Sequence, residues 1–75
     1  VLEKMDDAAI TAQVSAGLAK DTTLSALKID VDTRDGVVTL NGPAPTQEAK
    51  DRATAIAQGV KGVSSVMNQL SVKAI

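Results

Sequence analysis

Apolar residues recur first at a spacing of four and then at a spacing of two, and this change divides the chain into predicted elements. The first stripe predicts a helix over about residues 7–19. It consists of Ile10, Val14 and Leu18. Either Asp6 or Asp7 can cap that helix, because a carboxylate accepts hydrogen bonds from the unpaired amides of the first turn. Residues 1–5 are then expected to form a short lead-in.

The spacing of two begins at Lys28 and predicts a β-hairpin. Asp35-Gly36 is a strong signal for a two-residue turn, in which both central residues need positive φ. Closing the hairpin there sets the register of the two strands. The predicted pairs are Arg34 with Val37, Thr33 with Val38, Asp32 with Thr39, Val31 with Leu40, Asp30 with Asn41 and Ile29 with Gly42. This register places Ile29, Val31, Val38 and Leu40 on one face, as a half-buried strand pair requires.

Glycine and proline separate the second strand from a second helix. Gly42 and Pro43 are predicted to end the strand, since proline supplies no amide to a ladder. Thr46 is a good N-cap for a helix that ends at Gly59 or Gly62. The inner face of that helix is predicted to carry Ala49, Ala53, Ile56, Ala57 and Val60.

A second alternating run predicts the third strand. One face would carry Val66, Asn68, Leu70 and Val72, and the other would carry Met67, Gln69 and Ser71. The element order indicates an α+β fold of type αββαβ. A right-handed crossover then places both helices on one face of a three-stranded mixed sheet. We predict a single domain over residues 6–73.

The composition narrows the chemistry of this chain of 75 residues, whose net charge is −1. It contains no His, Cys, Phe, Tyr or Trp, which removes the commonest general base, any thiolate, and the aromatic rings that stack on nucleotide bases. Scattered basic residues argue against nucleic acid as a partner. No apolar run is long enough for a membrane span. Because the chain starts at Val1 without a signal peptide, we expect a processed protein or an excised domain.

The sheet face away from the helices is a candidate binding surface. It is predicted to collect Asp30, Asp32, Arg34, Val37, Thr39, Asn41, Met67, Gln69 and Ser71. The two aspartates project about 7 Å apart at a rise of about 3.3 Å per residue, but they supply too few oxygens for Ca²⁺. A glycosidase pair would need a cleft and one raised pKa. We therefore predict no metal site and no catalytic residue, and a candidate interaction face formed by Arg34, Val37, Thr39, Met67 and Gln69.

Asn68 is the one polar residue among the apolar positions of the third strand. A buried amide must find hydrogen-bond partners, so Asn68 is predicted to bond nearby loop or strand backbone as a structural pin, with ligand binding as the alternative. Gly36, Gly42 and Gly62 lie at predicted turns and do not form a phosphate-binding loop. Their predicted role is structural.

With these elements in order, the sequence resembles the BON domain, the module named for bacterial osmotically inducible and nodulation proteins. The resemblance covers residues 6–72. It is carried by the segments DAAITAQV at 7–14, IDV at 29–31, DGVVTLNG at 35–42, EAKDRA at 48–53 and VKGVSSVMNQL at 60–70. Gly42 and Gly62 match characteristic glycines of the family. Pro43-Ala44-Pro45 departs from the usual polar residue and valine, and predicts a stiffer loop before the second helix.

The resemblance implies an αββαβ fold without enzymatic activity or cofactor, in the periplasm or envelope of a Gram-negative bacterium. It also implies peripheral attachment to anionic phospholipid, often in tandem with another domain, and a role in osmotic stress or envelope maintenance. The alternative is a module that contacts a protein or the cell wall within a larger envelope protein. The scattered basic residues argue mildly against strong lipid binding, since each one near the surface contributes about 1 kcal/mol.

Overall fold

The computed structural model describes residues 6–72. It confirms the predicted α+β fold and the predicted element order. The elements are α1 (Asp7–Lys20), β1 (Asp30–Arg34), β2 (Val37–Ala44), α2 (Gln47–Gln58) and β3 (Ser65–Val72). The strands lie in the order β1-β2-β3, with β1 antiparallel and β3 parallel to β2. The lead-in predicted over residues 1–5 and the domain end predicted at Lys73 lie outside the described residues.

Both helices begin at side-chain caps. The Asp6 carboxylate accepts a hydrogen bond from the Ala9 N–H at 2.8 Å, so Asp6 is the cap of α1 among the two candidates. The Thr46 hydroxyl accepts from the Ala49 N–H at 3.1 Å and caps α2 as predicted. Gly59 follows the last residue of α2, which identifies the first of the two predicted stops as the end of that helix.

The β1–β2 hairpin has the predicted register in every pair between the two strands, from Arg34–Val37 to Asp30–Asn41. Asp35 and Gly36 have φ values of 51° and 80°, so both central residues of the turn occupy the left-handed region as predicted. The sixth predicted pair, Ile29 with Gly42, lies just beyond the first residue of β1. The Asp35-Gly36 turn fixes this register, and the alternating pattern agrees with it, because a shift by one residue would turn Ile29, Val31, Val38 and Leu40 to the other face.

The second strand is longer than predicted, because Gly42 and Pro43 continue it to Ala44. The prediction that they end the strand is wrong. In a two-residue hairpin the residues that flank the turn bond each other, so odd-numbered residues of β2 direct their backbone groups toward β1. Pro43 is odd-numbered, so its backbone nitrogen faces the β1 side of β2. The first residue of β1, Asp30, pairs with Asn41, so β1 does not extend as far as Pro43. Its missing N–H therefore faces a side without a strand, and the predicted stiff loop shrinks to the two residues before α2.

The helices cover one face of the sheet, and aliphatic side chains fill most of the space between the layers, with Thr33 as a buried polar residue. The buried apolar residues are Ile10, Val14, Leu18, Leu24, Val38, Leu40, Ala44, Ala49, Ala53, Ala57 and Leu70. The fully buried face of α2 is made of alanines only, which lets this helix lie close to the sheet. The helices also approach closely, since a Cβ added to Gly17 would lie 2.8 Å from Cγ2 of Ile56.

The Gly42→Ala substitution is expected to destabilise the fold by about 1–3 kcal/mol, the usual cost of a glycine-only backbone conformation in another residue. Gly42 has a φ of 132°, and a Cβ there would lie 2.4 Å from the Lys28 carbonyl oxygen. Gly59→Ala is the matched control, because Gly59 has a φ of −78° and its added Cβ would have 3.5 Å of space. Urea unfolding measures both variants, and an equal loss in the two would contradict this account.

Candidate functional site

The helices leave one sheet face uncovered, and this open face carries the whole candidate interaction face. We define the open face by the side chains of Asp30, Asp32, Arg34, Val37, Thr39, Asn41, Met67, Gln69 and Ser71. The register places Arg34 beside Val37, and Thr39 beside Met67. Gln69 occupies the next row. Met67 is 50% exposed, so the middle of β3 presents an apolar side chain to solvent among polar neighbours.

The charges of the open face lie along β1. Arg34 Nε is 3.3 Å from an Asp32 carboxylate oxygen, and the two side chains are 86% and 57% exposed. Exposed ion pairs of this kind contribute little to stability. A partner could therefore replace this ion pair with its own contacts at little cost to the fold. Residues 6–72 contain no group of three His, Cys, Asp or Glu side chains that could hold a metal ion.

The hairpin turn is held from two sides at the end of the molecule where α1 begins. The Asp7 carboxylate accepts hydrogen bonds from the backbone N–H groups of Asp35 and Gly36, at 2.9 and 3.1 Å. The Gly36 carbonyl accepts from the Ser64 N–H at 2.8 Å. Gly62, with a φ of 99°, lies in the turn that leads to β3. Gly36 and Gly62 therefore serve one junction between the hairpin, α1 and β3.

The role of Asp7 was missed by the sequence analysis, which treated Asp6 and Asp7 only as alternative caps. A signal was present, because a doubled Asp at a helix start leaves one carboxylate without a capping role. The donors that it meets belong to a turn almost thirty residues further along the chain. That pairing depends on how α1 packs on β1, which spacing alone does not define.

Asn68 joins β3 to α2. Its Nδ2 donates to the Lys50 carbonyl oxygen at 2.7 Å and to the Thr54 hydroxyl. Its Oδ1 accepts from the Leu70 N–H at 3.0 Å. Strand backbone was predicted as a partner of Asn68, but the helix partners Lys50 and Thr54 were not. All of the bonds described for Asn68 are internal to the domain, which favours the structural reading over ligand binding.

An ion pair connects the C-terminal end of α1 to α2. Arg52 donates to the Asp21 carboxylate from Nε at 3.0 Å and also from Nη2. The same carboxylate accepts from the N–H groups of Thr23 and Leu24, and the Asp21 side chain is only 8% exposed. The hydrogen bond from Arg52 is the main cause that lowers the Asp21 pKa, against the opposing effect of burial and with the help of the two backbone amides.

The end of the molecule where α1 stops and β1 starts forms a second surface. We call it the loop end and define it by Lys20, Lys28 and Val72. Val72 belongs to this end because it pairs with Ala44, the last residue of β2. The first residue of β1, Asp30, pairs with Asn41, three residues before Ala44. Both lysines are exposed, and Val72 is 41% exposed. The loop end therefore combines two lysines and one exposed aliphatic side chain with the exposed carboxylate of Asp30, the first residue of β1.

A shallow depression lies beside the loop end, between α1 and the segment that precedes β1. It has a volume of 130 Å³, and Leu18, Leu24 and Ile29 are among the residues that line it. Small-molecule sites usually measure about 300–1,000 Å³, so this depression is small for such a ligand. Within residues 6–72, no helix has the length and apolar character that crossing a bilayer requires.

The domain thus has two layers, a helix layer and a three-stranded sheet whose other face is uncovered. The chain belongs to the BON domain family, which matches residues 6–74. The resemblance inferred from the ordered segments is thereby confirmed, with the αββαβ order in place.

The chain is similar to three named bacterial proteins. The chain is 42% identical to Osmotically-inducible protein Y of Escherichia coli (strain K12) over 67 residues, which are 89% of this chain and 33% of that protein. It is 36% identical to Outer membrane lipoprotein DolP of Haemophilus influenzae over 70 residues, 92% of this chain and 36% of that protein. It is 34% identical to 21 kDa hemolysin of Actinobacillus pleuropneumoniae over 68 residues, 89% of this chain and 35% of that protein. The chain thus spans about a third of the length of these curated relatives.

Removing the Arg52 guanidinium is expected to make stability less dependent on acid pH. The pKa of Asp21 in the folded protein lies below its ordinary value of 3.8. The stabilisation from this bond is therefore complete above that value and is lost as the pH falls through the lower, folded-state pKa. Arg52→Met should reduce the free energy of unfolding at neutral pH, and its difference from the unmodified protein should shrink below about pH 4.

Urea unfolding over a series of pH values measures this difference. Arg34→Met is the matched control, because the Arg34–Asp32 pair is exposed and should contribute much less. A difference between the unmodified protein and Arg52→Met that stays constant into the acid range would contradict the role of the Asp21 charge.

Proposed function

We propose that this domain is a non-enzymatic module of the envelope of a Gram-negative bacterium, which binds peripherally to anionic phospholipid. The proposed setting is osmotic stress or envelope maintenance. The names of two relatives support that setting, since one is osmotically inducible and another is an outer membrane lipoprotein. The absence of His and Cys from the sequence supports a role without catalysis.

The observation that carries the lipid proposal is the composition of the loop end. Lys20 and Lys28 are exposed there, and Val72 exposes an aliphatic side chain at the same end. Cationic side chains are attracted to anionic head groups, and an aliphatic group can enter the boundary between head groups and acyl chains. The nearby negative charge of Asp21 is paired with Arg52, which limits its repulsion of an anionic surface.

The strength of the proposed contact follows from the number of charges. Two lysines contribute about 1 kcal/mol each near an anionic surface, so a single domain should bind weakly and reversibly. Relatives about three times as long as this chain have room for further domains. A second attached module would raise the effective concentration at the surface without new contacts. We therefore propose that useful membrane affinity requires more than one module.

Co-sedimentation with phosphatidylglycerol vesicles at low salt tests this proposal. The unmodified domain should pellet in part with these vesicles, but not with phosphatidylcholine vesicles. Binding should disappear in about 1 M salt, where the Debye length is about 3 Å. The double variant Lys20→Glu/Lys28→Glu should remain in the supernatant, because it replaces attraction by repulsion at the loop end.

Lys61→Glu is the matched control for this experiment. Lys61 is exposed in the turn after α2, at the opposite end of the sheet, so its charge reversal should leave most of the binding intact. Full retention of the unmodified domain in the supernatant at high lipid concentration would overturn the lipid proposal. So would an equal loss of binding in the Lys61 variant.

A second candidate function is contact with a protein or the cell wall through the open face. The observation that favours it is Met67, which is half exposed in a polar row beside Thr39. A mixed surface with an isolated Met suits a modest protein contact better than insertion into lipid, since Met is enriched in protein interfaces. The charges of Asp32 and Arg34 at the rim could orient such a partner.

Amide chemical-shift mapping with envelope extract tests this second function. Shifts should cluster on the open face, and Met67→Ser should weaken them. Val72→Ser is the matched control, because Val72 is the other exposed large aliphatic residue described and lies on the opposite side of β3. Shifts confined to the loop end, or an equal effect of both substitutions, would count against the open face.

A further inference from the structure

The outer edge of β3 carries backbone groups that point away from the sheet. The odd-numbered residues of β2 face β1, as argued above for Pro43, so its even-numbered residues face β3. With the observed parallel register, the odd-numbered residues of β3 then bond β2. The even-numbered residues direct their N–H and C=O groups outward. They are Val66, Asn68, Leu70 and Val72.

The two edges of the sheet differ in length and charge. The β1 edge has five residues and three charges, Asp30, Asp32 and Arg34. The β3 edge has eight residues, and the segment from Gly62 to Val72 contains no charged residue. Charged side chains on an edge strand discourage the addition of another strand. The β3 edge is therefore the one that a further strand would pair with more readily.

Asn68 obstructs that edge with its own side chain. Its Oδ1 takes the outward-facing N–H of Leu70 at 3.0 Å, and Leu70 is only 2% exposed. The amide cannot swing away freely, since its Nδ2 is held by the Lys50 carbonyl and the Thr54 hydroxyl of α2. A strand arriving at β3 would need the Leu70 N–H as a donor, and would find it already bonded.

We propose that Asn68 closes a strand-pairing surface on β3, and that the partner for this surface, once opened, is β3 of a second copy of this chain. An antiparallel pairing across a two-fold axis would continue the sheet from one copy into the other. The uncharged β3 edge brings no like-charge repulsion into such a pairing. Each copy would have to release its Asn68–Leu70 bond, so the domain with Asn68 in place stays monomeric. This inference does not depend on lipid binding.

Hydrogen exchange in the unmodified protein gives the first test. The N–H groups of Val66 and Leu70 both point outward from β3, but Asn68 bonds only that of Leu70. The Leu70 amide should therefore exchange roughly tenfold more slowly than the Val66 amide after correction for intrinsic rates, the effect of one neutral hydrogen bond. Exchange at Leu70 as fast as at Val66 would overturn the proposal, whatever any variant does.

The Asn68→Leu variant gives the second test, because leucine has the same branching at Cγ and cannot accept a hydrogen bond from the Leu70 N–H. Analytical ultracentrifugation over a wide range of concentration should show a monomer for the unmodified protein and a dimer for the variant. In the dimer, the Val66 amide should become protected from exchange. A variant with native circular dichroism that remains monomeric at every concentration would overturn the proposal.

Two matched variants distinguish loss of the Asn68–Leu70 hydrogen bond from a general loss of stability. Asn68→Asp keeps an acceptor for the Leu70 N–H but loses both donors to α2, and Thr54→Val removes one helix partner only. Both should lower the melting temperature and remain monomeric. Dimers in these variants equal to those of Asn68→Leu would show that loss of the α2 bonds drives association, and would refute the specific role of the Leu70 bond. If Asn68→Leu does not fold, the exchange comparison in the unmodified protein decides.

Discussion

The close approach of α2 to the sheet determines both how the core packs and which polar groups of β3 reach the helix. A core without aromatic rings has little volume with which to separate two layers, and α2 buries only Ala49, Ala53 and Ala57. This spacing lets the short side chain of Asn68 reach the main-chain carbonyl of Lys50 at 2.7 Å. A larger residue on the inner face of α2 would lift the helix, break that bond and expose the edge of β3 together. The packing of α2 on the sheet and the hydrogen bonds of Asn68 therefore depend on each other.

Polar bonds supplement this thin core at its periphery, where each joins segments far apart in the chain. Asp7 holds the hairpin turn to α1, Thr11 on α1 bonds Thr33 on β1 at 2.8 Å, and Arg52 ties α2 to the end of α1. A domain of this size buries a smaller fraction of its unfolded-chain surface than a larger domain does, so a few such bonds are a substantial part of its net stability. None of these bonds involves a side chain of the open face. The open face therefore remains accessible for binding.

Periodicity predicted the elements that depend on local pattern, and failed where a distance between elements decides the outcome. The hairpin register followed from Asp35-Gly36 and the alternation around it, because both act over a few residues. The partners of Asp7 and Asn68 could not be predicted in the same way, since they depend on how each helix packs on the sheet. The continuation of β2 through Pro43 has a similar reason. Whether a proline interrupts a strand depends on which side its missing N–H faces, and here β1, which starts opposite Asn41, does not extend as far as Pro43.

The proposed surfaces can operate together because they face different directions. β1 begins at the loop end, and β2 and β3 end there, so contact of Lys20 and Lys28 with a membrane would place the strands roughly perpendicular to the lipid surface. The open face and the edge of β3 would then point sideways, toward neighbouring proteins on the same surface. Confinement to a membrane raises the local concentration of such neighbours. An uncharged edge strand is then at the greatest risk of pairing with a strand of a neighbouring molecule. Closure of that edge by Asn68 is thus most valuable in the setting proposed for this domain, and it leaves the open face as the route for contact with other proteins.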